Sequence, residues 1–85
     1  MTRLHVHLKV DDLSQSIGFY SALFGRAPDK READYAKWML DDPAANIAIS
    51  ATGATAGVDH VGLEVDHRDD LAVIAARLTD AGHAS

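Results

Sequence analysis

A seven-residue pattern occurs twice in this chain, and the repeat limits the folds that the chain can adopt. Residues 5–11 read HVHLKVD, and residues 60–66, 55 positions later, read HVGLEVD. Five of the seven positions are identical, namely His, Val, Leu, Val and Asp. Each copy alternates apolar and polar residues, as a strand with one buried face does, and each leads into a segment with helical spacing. The repeat predicts two copies of one unit, each opening on a strand histidine.

The first unit, residues 1–51, is predicted to have the order β-α-β-β-β. Asp12 is placed to cap a helix, and Gly25 sits where a left-handed residue would end it. Between them, apolar residues recur at helical spacing. Three short extended segments follow, at about residues 27–32, 35–40 and 46–50.

Residues 52–57, TGATAG, are small and flexible and are expected to form a linker. The second copy then begins with a strand at residues 58–65 and a helix from about Asp69. The remainder of the chain, residues 58–85, therefore supplies only a strand and a helix of the second unit. We expect an α+β fold in one structural domain: a βαβββ unit followed by the β-α start of another.

The composition excludes several classes of partner. The net charge is -5, whereas nucleic acids and anionic membranes are bound by basic surfaces. The chain has no cysteine, so neither a disulfide framework nor a thiolate site is available. No apolar run is long enough to span a bilayer, and no signal-peptide pattern is present, which predicts a cytoplasmic location.

The two repeat histidines, His5 and His60, are candidate metal ligands. Both lie on the polar faces of their strands, so neighbouring strands would project both rings into one cavity. Two imidazoles leave room for a carboxylate and for exchangeable water, a set that suits Fe(II) and also Zn, Mn, Co or Ni. A single strand histidine is more often a solvated or hydrogen-bonded residue. Its recurrence in register in both copies strengthens the metal interpretation.

Other polar residues near the repeats receive weaker assignments. His7 shares the polar face with His5 and is expected to be a surface or pocket residue. Glu64 shares the face of His60, but strand residues four apart are separated by about 13 Å, too far to bind one ion. Glu64 is instead expected to pair with Lys9, its neighbour across the repeat.

Tyr35 and Trp38 are the aromatic candidates for substrate contact. They point to opposite faces of their strand, so only one of them can line a cavity. The other belongs to the core, which is the ordinary place for a large aromatic residue.

The motifs resemble those of the vicinal oxygen chelate superfamily, which includes glyoxalase I, extradiol dioxygenases and fosfomycin-resistance proteins. The resemblance rests on H-x-x-L-x-V-x-D-L at residues 5–13, SIGFY at 16–20 and LFG at 23–25. It implies paired βαβββ units that form a cup around a divalent metal ion. Such a fold hosts many chemistries and does not by itself identify a reaction.

A narrower resemblance is to the carbon–arsenic lyases and cadmium-induced proteins of that superfamily. It rests on DYAKWMLDDP at residues 34–43, on NI at 46–47 and on DHVGLEV at 59–65. It implies Fe(II)- and oxygen-dependent cleavage of the carbon–arsenic bond of trivalent organoarsenicals such as methylarsonous acid. His5 matches the first metal ligand of that family, and His60 matches the second.

Two parts of that family's site have no counterpart in these 85 residues. The resemblance implies a third ligand, a glutamate in the last strand of the second unit, and a vicinal cysteine pair that binds arsenic after the second helix. Three interpretations stay open. The chain is part of a longer lyase, it is a non-catalytic small-molecule binding module that dimerises or exchanges strands, or it serves another glyoxalase-like lyase, isomerase or dioxygenase.

Overall fold

The computed structural model describes residues 1–83 and contains the predicted order of elements. The second unit was predicted to extend to residue 85, and its last two residues lie outside the described part. The elements, in chain order, are β1 (Thr2–Lys9), α1 (Leu13–Phe24), β2 (Lys30–Glu32), β3 (Tyr35–Asp41), β4 (Ala44–Ser50), β5 (Gly57–Val65) and α2 (Arg68–Asp80).

The strands form one mixed sheet in the order β2-β3-β4-β1-β5. Strand β1 pairs in parallel with β4 and antiparallel with β5, so it joins the first unit to the start of the second. The predicted α+β class and the βαβββ arrangement are confirmed.

Alternation of apolar and polar residues divides the sheet into two faces. On the apolar face, Val6 and Leu8 of β1 lie beside Ile47 and Ile49 of β4. Helix α1 packs over this face through Ile17. The other face carries the polar residues of β1, β4 and β5, including the histidines of both repeats.

Trp38 lies at the centre of the apolar core and has no exposed surface. Its ring packs against Tyr20 and Phe24 of α1, and its indole N–H donates a hydrogen bond of 3.1 Å to the Arg26 carbonyl. Trp38 is therefore a core residue and does not line the polar face, so the expectation that it contacts substrate was wrong.

Helix α1 begins and ends where the sequence predicts. The Asp12 carboxylate accepts a hydrogen bond of 3.0 Å from the Gln15 backbone N–H, which satisfies a donor that the first turn leaves free. Gly25 follows the helix with a φ of 73°, a conformation that other residues rarely adopt.

Helix α2 covers β5 only loosely. None of its residues is buried, and a groove of about 350 Å³ separates it from β5, with Leu63 on the strand side and Ile74 on the helix side. Leu71 and Val73 are each more than half exposed. No helix among residues 1–83 is long and apolar enough to cross a membrane.

Arg3 of β1 links the last residues of β3 to Asp66, which follows β5. Its guanidinium group contacts the Asp41 carboxylate at 2.8 Å, the Asp66 carboxylate at 3.1 Å and the Leu40 carbonyl at 3.1 Å. The N-terminal amine donates a further hydrogen bond of 2.8 Å to Asp66. That hydrogen bond, assisted by the positive charge of Arg3, lowers the pKa of Asp66.

Substitutions at a buried and at an exposed position are predicted to lower the free energy of unfolding by different amounts. Ile49→Val should lower the free energy of unfolding by about 1 kcal/mol, because it leaves a small cavity at a fully buried site. Val58→Ala, at a position 68% exposed, should change it by less than about 0.5 kcal/mol. Urea denaturation of both variants checks this, and equal losses would contradict the assigned core.

The ion pairs of Asp66 predict that the free energy of unfolding depends on pH. Because the folded-state pKa of Asp66 is lowered, its stabilisation is complete above the unfolded-state value and is lost as pH falls through the folded-state value. Asp66→Asn should therefore reduce the acid sensitivity of unfolding below about pH 4. The exposed Asp11→Asn variant is the control, and identical pH profiles for wild type and Asp66→Asn would refute the prediction.

Candidate metal centre

The two repeats lie on adjacent antiparallel strands, with Val6 directly opposite Val61. This register places His5 opposite Gly62 and His7 opposite His60. The two repeats are consequently related by an approximate twofold axis, and their histidines share the polar face of the sheet. The two repeat strands lie side by side, as a shared cavity for the two rings requires, and they run antiparallel.

The rings of His5 and His60 converge across this pair of strands. Their Nε2 atoms lie 2.9 Å apart, and their ring centroids lie 4.8 Å apart. Two such nitrogens approach this closely only when a proton or a cation lies between them. Two nitrogen ligands about 2.1 Å from one ion, at a right angle, are separated by about 3 Å. The donor pair therefore fits a divalent metal ion.

The peptide backbone orients the His5 ring. Its Nδ1 lies 3.2 Å from the Asn46 carbonyl oxygen. A carbonyl only accepts hydrogen bonds, so Nδ1 carries the proton and Nε2 presents its lone pair. A hydrogen bond to the second ring nitrogen is the usual device that fixes a histidine ligand.

A β-bulge in β5 brings a carboxylate to the histidines. The register shifts between His7 and Leu8, which face His60 and Val58, so Asp59 is an extra residue on β5. Bulges redirect side chains at functional sites. The Asp59 carboxylate lies 3.6 Å from the Nδ1 atom of His60 and 3.8 Å from that of His7.

His7 is half-buried and lies on the same polar face of the sheet as His5 and His60. Its Nε2 lies 2.9 Å from the Ser50 hydroxyl oxygen, and its ring meets the edge of Tyr35. Burial lowers the pKa of His7, and the negative charge of Asp59 partly opposes this effect. The neutral form, which binds metals, is therefore favoured at His7.

A groove of about 430 Å³ opens beside these residues. It is lined by His7, Tyr35, Ser50 and Asp59, with lysines and acids at its rim. Tyr35 thus lies where a small molecule near the histidines would meet it, in agreement with its position on the polar face of β3.

Glu64 makes a different contact from the one predicted. Because β5 runs antiparallel to β1, Glu64 faces Arg3 rather than Lys9. One oxygen of Glu64 accepts a hydrogen bond of 2.9 Å from the Asn46 side-chain amide. The other Glu64 oxygen and the Asn46 amide oxygen are buried without a partner among the described residues. The Glu64–Lys9 prediction was wrong because it assumed that equivalent residues of the repeat meet.

Three residues that lie next to the histidine rings were not predicted from the sequence, namely Asn46, Ser50 and Asp59. Asp59 immediately precedes the second repeat, but the bulge that turns it toward the rings has no signature in one sequence. Among residues 1–83, the one three-residue group whose metal-binding atoms all lie within 4.8 Å of one another comprises His7, Asp59 and His60, and leaves out His5. The third ligand and the cysteine pair that the resemblance implies have no counterpart in the sequence.

Comparison with known proteins gives consistent relatives. A cadmium-induced protein, CadI, of Mycobacterium bovis is 39% identical over 83 residues, which are 96% of this chain and 55% of CadI. Trivalent organoarsenical cleaving enzymes of Bacillus sp. and Thermomonospora curvata are 37% and 38% identical, and the matches cover 52% and 58% of their lengths. The chain therefore spans about half the length of these relatives.

The family profile that matches residues 2–84 is described as the Glyoxalase/Bleomycin resistance protein/Dioxygenase superfamily. Members of this superfamily bind divalent metals and commonly act on small molecules. The sheet, the repeat and the paired histidines agree with this match. The chain belongs to the Glyoxalase/Bleomycin resistance protein/Dioxygenase superfamily.

Proposed function

We propose that His5 and His60 are ligands of a divalent-metal centre in a lyase that cleaves the carbon–arsenic bond of trivalent organoarsenicals. The observation that carries the proposal is the 2.9 Å approach of their Nε2 atoms. The choice of substrate is supported by relatives named trivalent organoarsenical cleaving enzymes, at 37% and 38% identity.

The proposed ion is Fe(II), which when bound supplies redox chemistry with molecular oxygen. The Asn46 carbonyl holds the His5 ring so that its Nε2 lone pair faces His60. The groove beside Tyr35 is the proposed position of the small-molecule substrate. The glutamate ligand and the cysteine pair implied by the resemblance are not among these 85 residues, so the proposal concerns the whole protein that carries this chain. A cytoplasmic location stays a prediction.

Loss of one ligand should abolish the activity. In the protein carrying this chain, His60→Ala should reduce release of arsenite from methylarsonous acid to background, because it removes one of two fixed nitrogen ligands. His67→Ala is the matched control, since His67 is the N-cap residue of α2, its side chain makes no capping hydrogen bond, and it is not one of the candidate ligands. Arsenite release is measured under anaerobic conditions, with and without added Fe(II), and again after oxygen is admitted. Activity that does not need iron, or that survives His60→Ala, would contradict the proposal.

A second candidate function is a non-catalytic binding module that works as a homodimer. The apolar surface formed by the exposed side of β5 and α2 favours it. Val61, Leu63 and Leu71 are 65%, 63% and 56% exposed. A second copy of this chain would cover the surface without any other protein. Many oligomers pair the same patch of each subunit.

The dimer makes its own prediction. Light scattering at micromolar concentration should give twice the chain mass, and Leu63→Lys should restore the monomer because it places a charge in the interface. Lys9→Gln, on the polar face, should leave the dimer intact. A wild-type chain that stays monomeric at these concentrations would rule out the homodimer.

A further inference from the structure

His7, Asp59 and His60 form a group that the proposed centre does not use as a unit. Their candidate ligand atoms all lie within 4.8 Å of one another. We propose that these three residues form a second divalent-metal position, which shares His60 with the His5–His60 pair and does not require His5.

The spacing around Asp59 matches metal ligands rather than hydrogen bonds. One of its oxygens, Oδ2, lies 3.6 Å from the Nδ1 atom of His60 and 3.8 Å from that of His7. Both separations are too long for a hydrogen bond. Ligands about 2.1 Å from one ion and about 120° apart are separated by about 3.6 Å. A cation bound to all three groups would also require the two ring nitrogens, which lie within 4.8 Å of each other, to be no more than about 4.2 Å apart.

The hydrogen bonds of His5 determine which nitrogen of His60 is free. Nδ1 of His5 donates to the Asn46 carbonyl, so in the neutral ring Nε2 of His5 accepts. When no ion lies between the two rings, Nε2 of His60, 2.9 Å away, is then the donor. In a neutral imidazole this leaves Nδ1 of His60 with a lone pair. That lone pair faces the Asp59 carboxylate, which only accepts, so a cation between them removes the conflict.

The remaining ligand is also held in place by its neighbours. His7 pairs with His60 across β1 and β5, and its Nε2 contacts the Ser50 hydroxyl at 2.9 Å. Ser50 is 8% exposed and lies on β4. The contact turns the Nδ1 atom of His7 toward Asp59. Both histidines are carried by strands, which position ligands more precisely than loops do.

The donor set indicates the class of ion. Two imidazoles and one carboxylate suit Zn(II), Co(II), Ni(II) or Fe(II) and disfavour Ca(II) and Mg(II). Lys9 is the local competitor, because its ammonium group lies 3.8 Å from the other oxygen of Asp59. A neutral imidazole has a free lone pair on only one ring nitrogen, so a neutral His60 ring binds one ion at a time. An ion at either position therefore excludes an ion at the other, unless the ring loses both protons.

Calorimetric titration of the chain with Zn(II) alone tests this proposal separately from any arsenic chemistry. His5→Ala should retain one Zn(II) site. Adding Asp59→Asn to that variant should weaken the site by about tenfold or more, and adding His67→Ala should leave it unchanged. Abolition of all binding by His5→Ala, in a variant shown to be folded by circular dichroism, would overturn the proposal. So would an Asp59→Asn addition without effect.

Two further measurements distinguish loss of metal binding from loss of folding. Lys9→Gln should tighten Zn(II) binding in the His5→Ala background, because it removes the charge that competes for Asp59. A structural role of Asp59 alone predicts no such gain, so unchanged or weaker binding would contradict a metal position there. Long-range proton–nitrogen spectra of the metal-free wild type should show the His60 proton on Nε2. A proton on Nδ1 would overturn the assignment.

Discussion

The antiparallel pairing of β1 with β5 is the constraint on which the rest of the site depends. It aligns Val6 with Val61, and thereby places four of the polar-face positions of the two repeats, His5, His7, His60 and Gly62, around one point. A shift of one residue would turn every polar side chain of β5 to the apolar face, where α2 lies. The bulge at Asp59 belongs to the same pairing, because the register shifts by one residue between His7 and Leu8 and leaves Asp59 as an extra residue, which adds a carboxylate.

The two ends of the apolar face are stabilised to different extents. Between α1, β3 and β4, residues such as Trp38 and Ile49 lose all contact with water. Over β5, by contrast, Val61 and Leu63 remain largely exposed, and α2 buries no residue fully. The proposed metal ligands are thus divided between an interior strand, β1, and an edge strand, β5. An ion that binds both strands adds the free energy of its binding to the folded state.

Much of the fold was predictable from the sequence because its signals are local. Asp12 and Gly25 mark the ends of α1 by capping chemistry, and alternation in residues 4–10 defines the faces of β1. The repeat also identified His5 and His60 as partners. The direction of β5 against β1 is a tertiary property, and the Glu64–Lys9 prediction was wrong for that reason.

Other features could not be predicted because they depend on long-range contacts. Tyr35 and Trp38 alternate on one strand, but only the packing of α1 shows that Trp38 belongs to the core. The approach of Asp59 to the rings depends on a bulge, and the contact of Ser50 with His7 depends on the parallel pairing of β1 with β4. The resemblance indicated the proposed metal ligands but gave no role to these neighbours.

The central claim is that the repeat brings His60 to a metal ion together with a histidine of β1. Anomalous diffraction at the zinc edge, from crystals of the chain loaded with Zn(II), tests it most directly. We expect an ion bonded to a ring nitrogen of His60, with either His5 through Nε2 or His7 through Nδ1 as the second histidine ligand. A fully occupied Zn(II) ion bound elsewhere, with His60 uncoordinated, would contradict it.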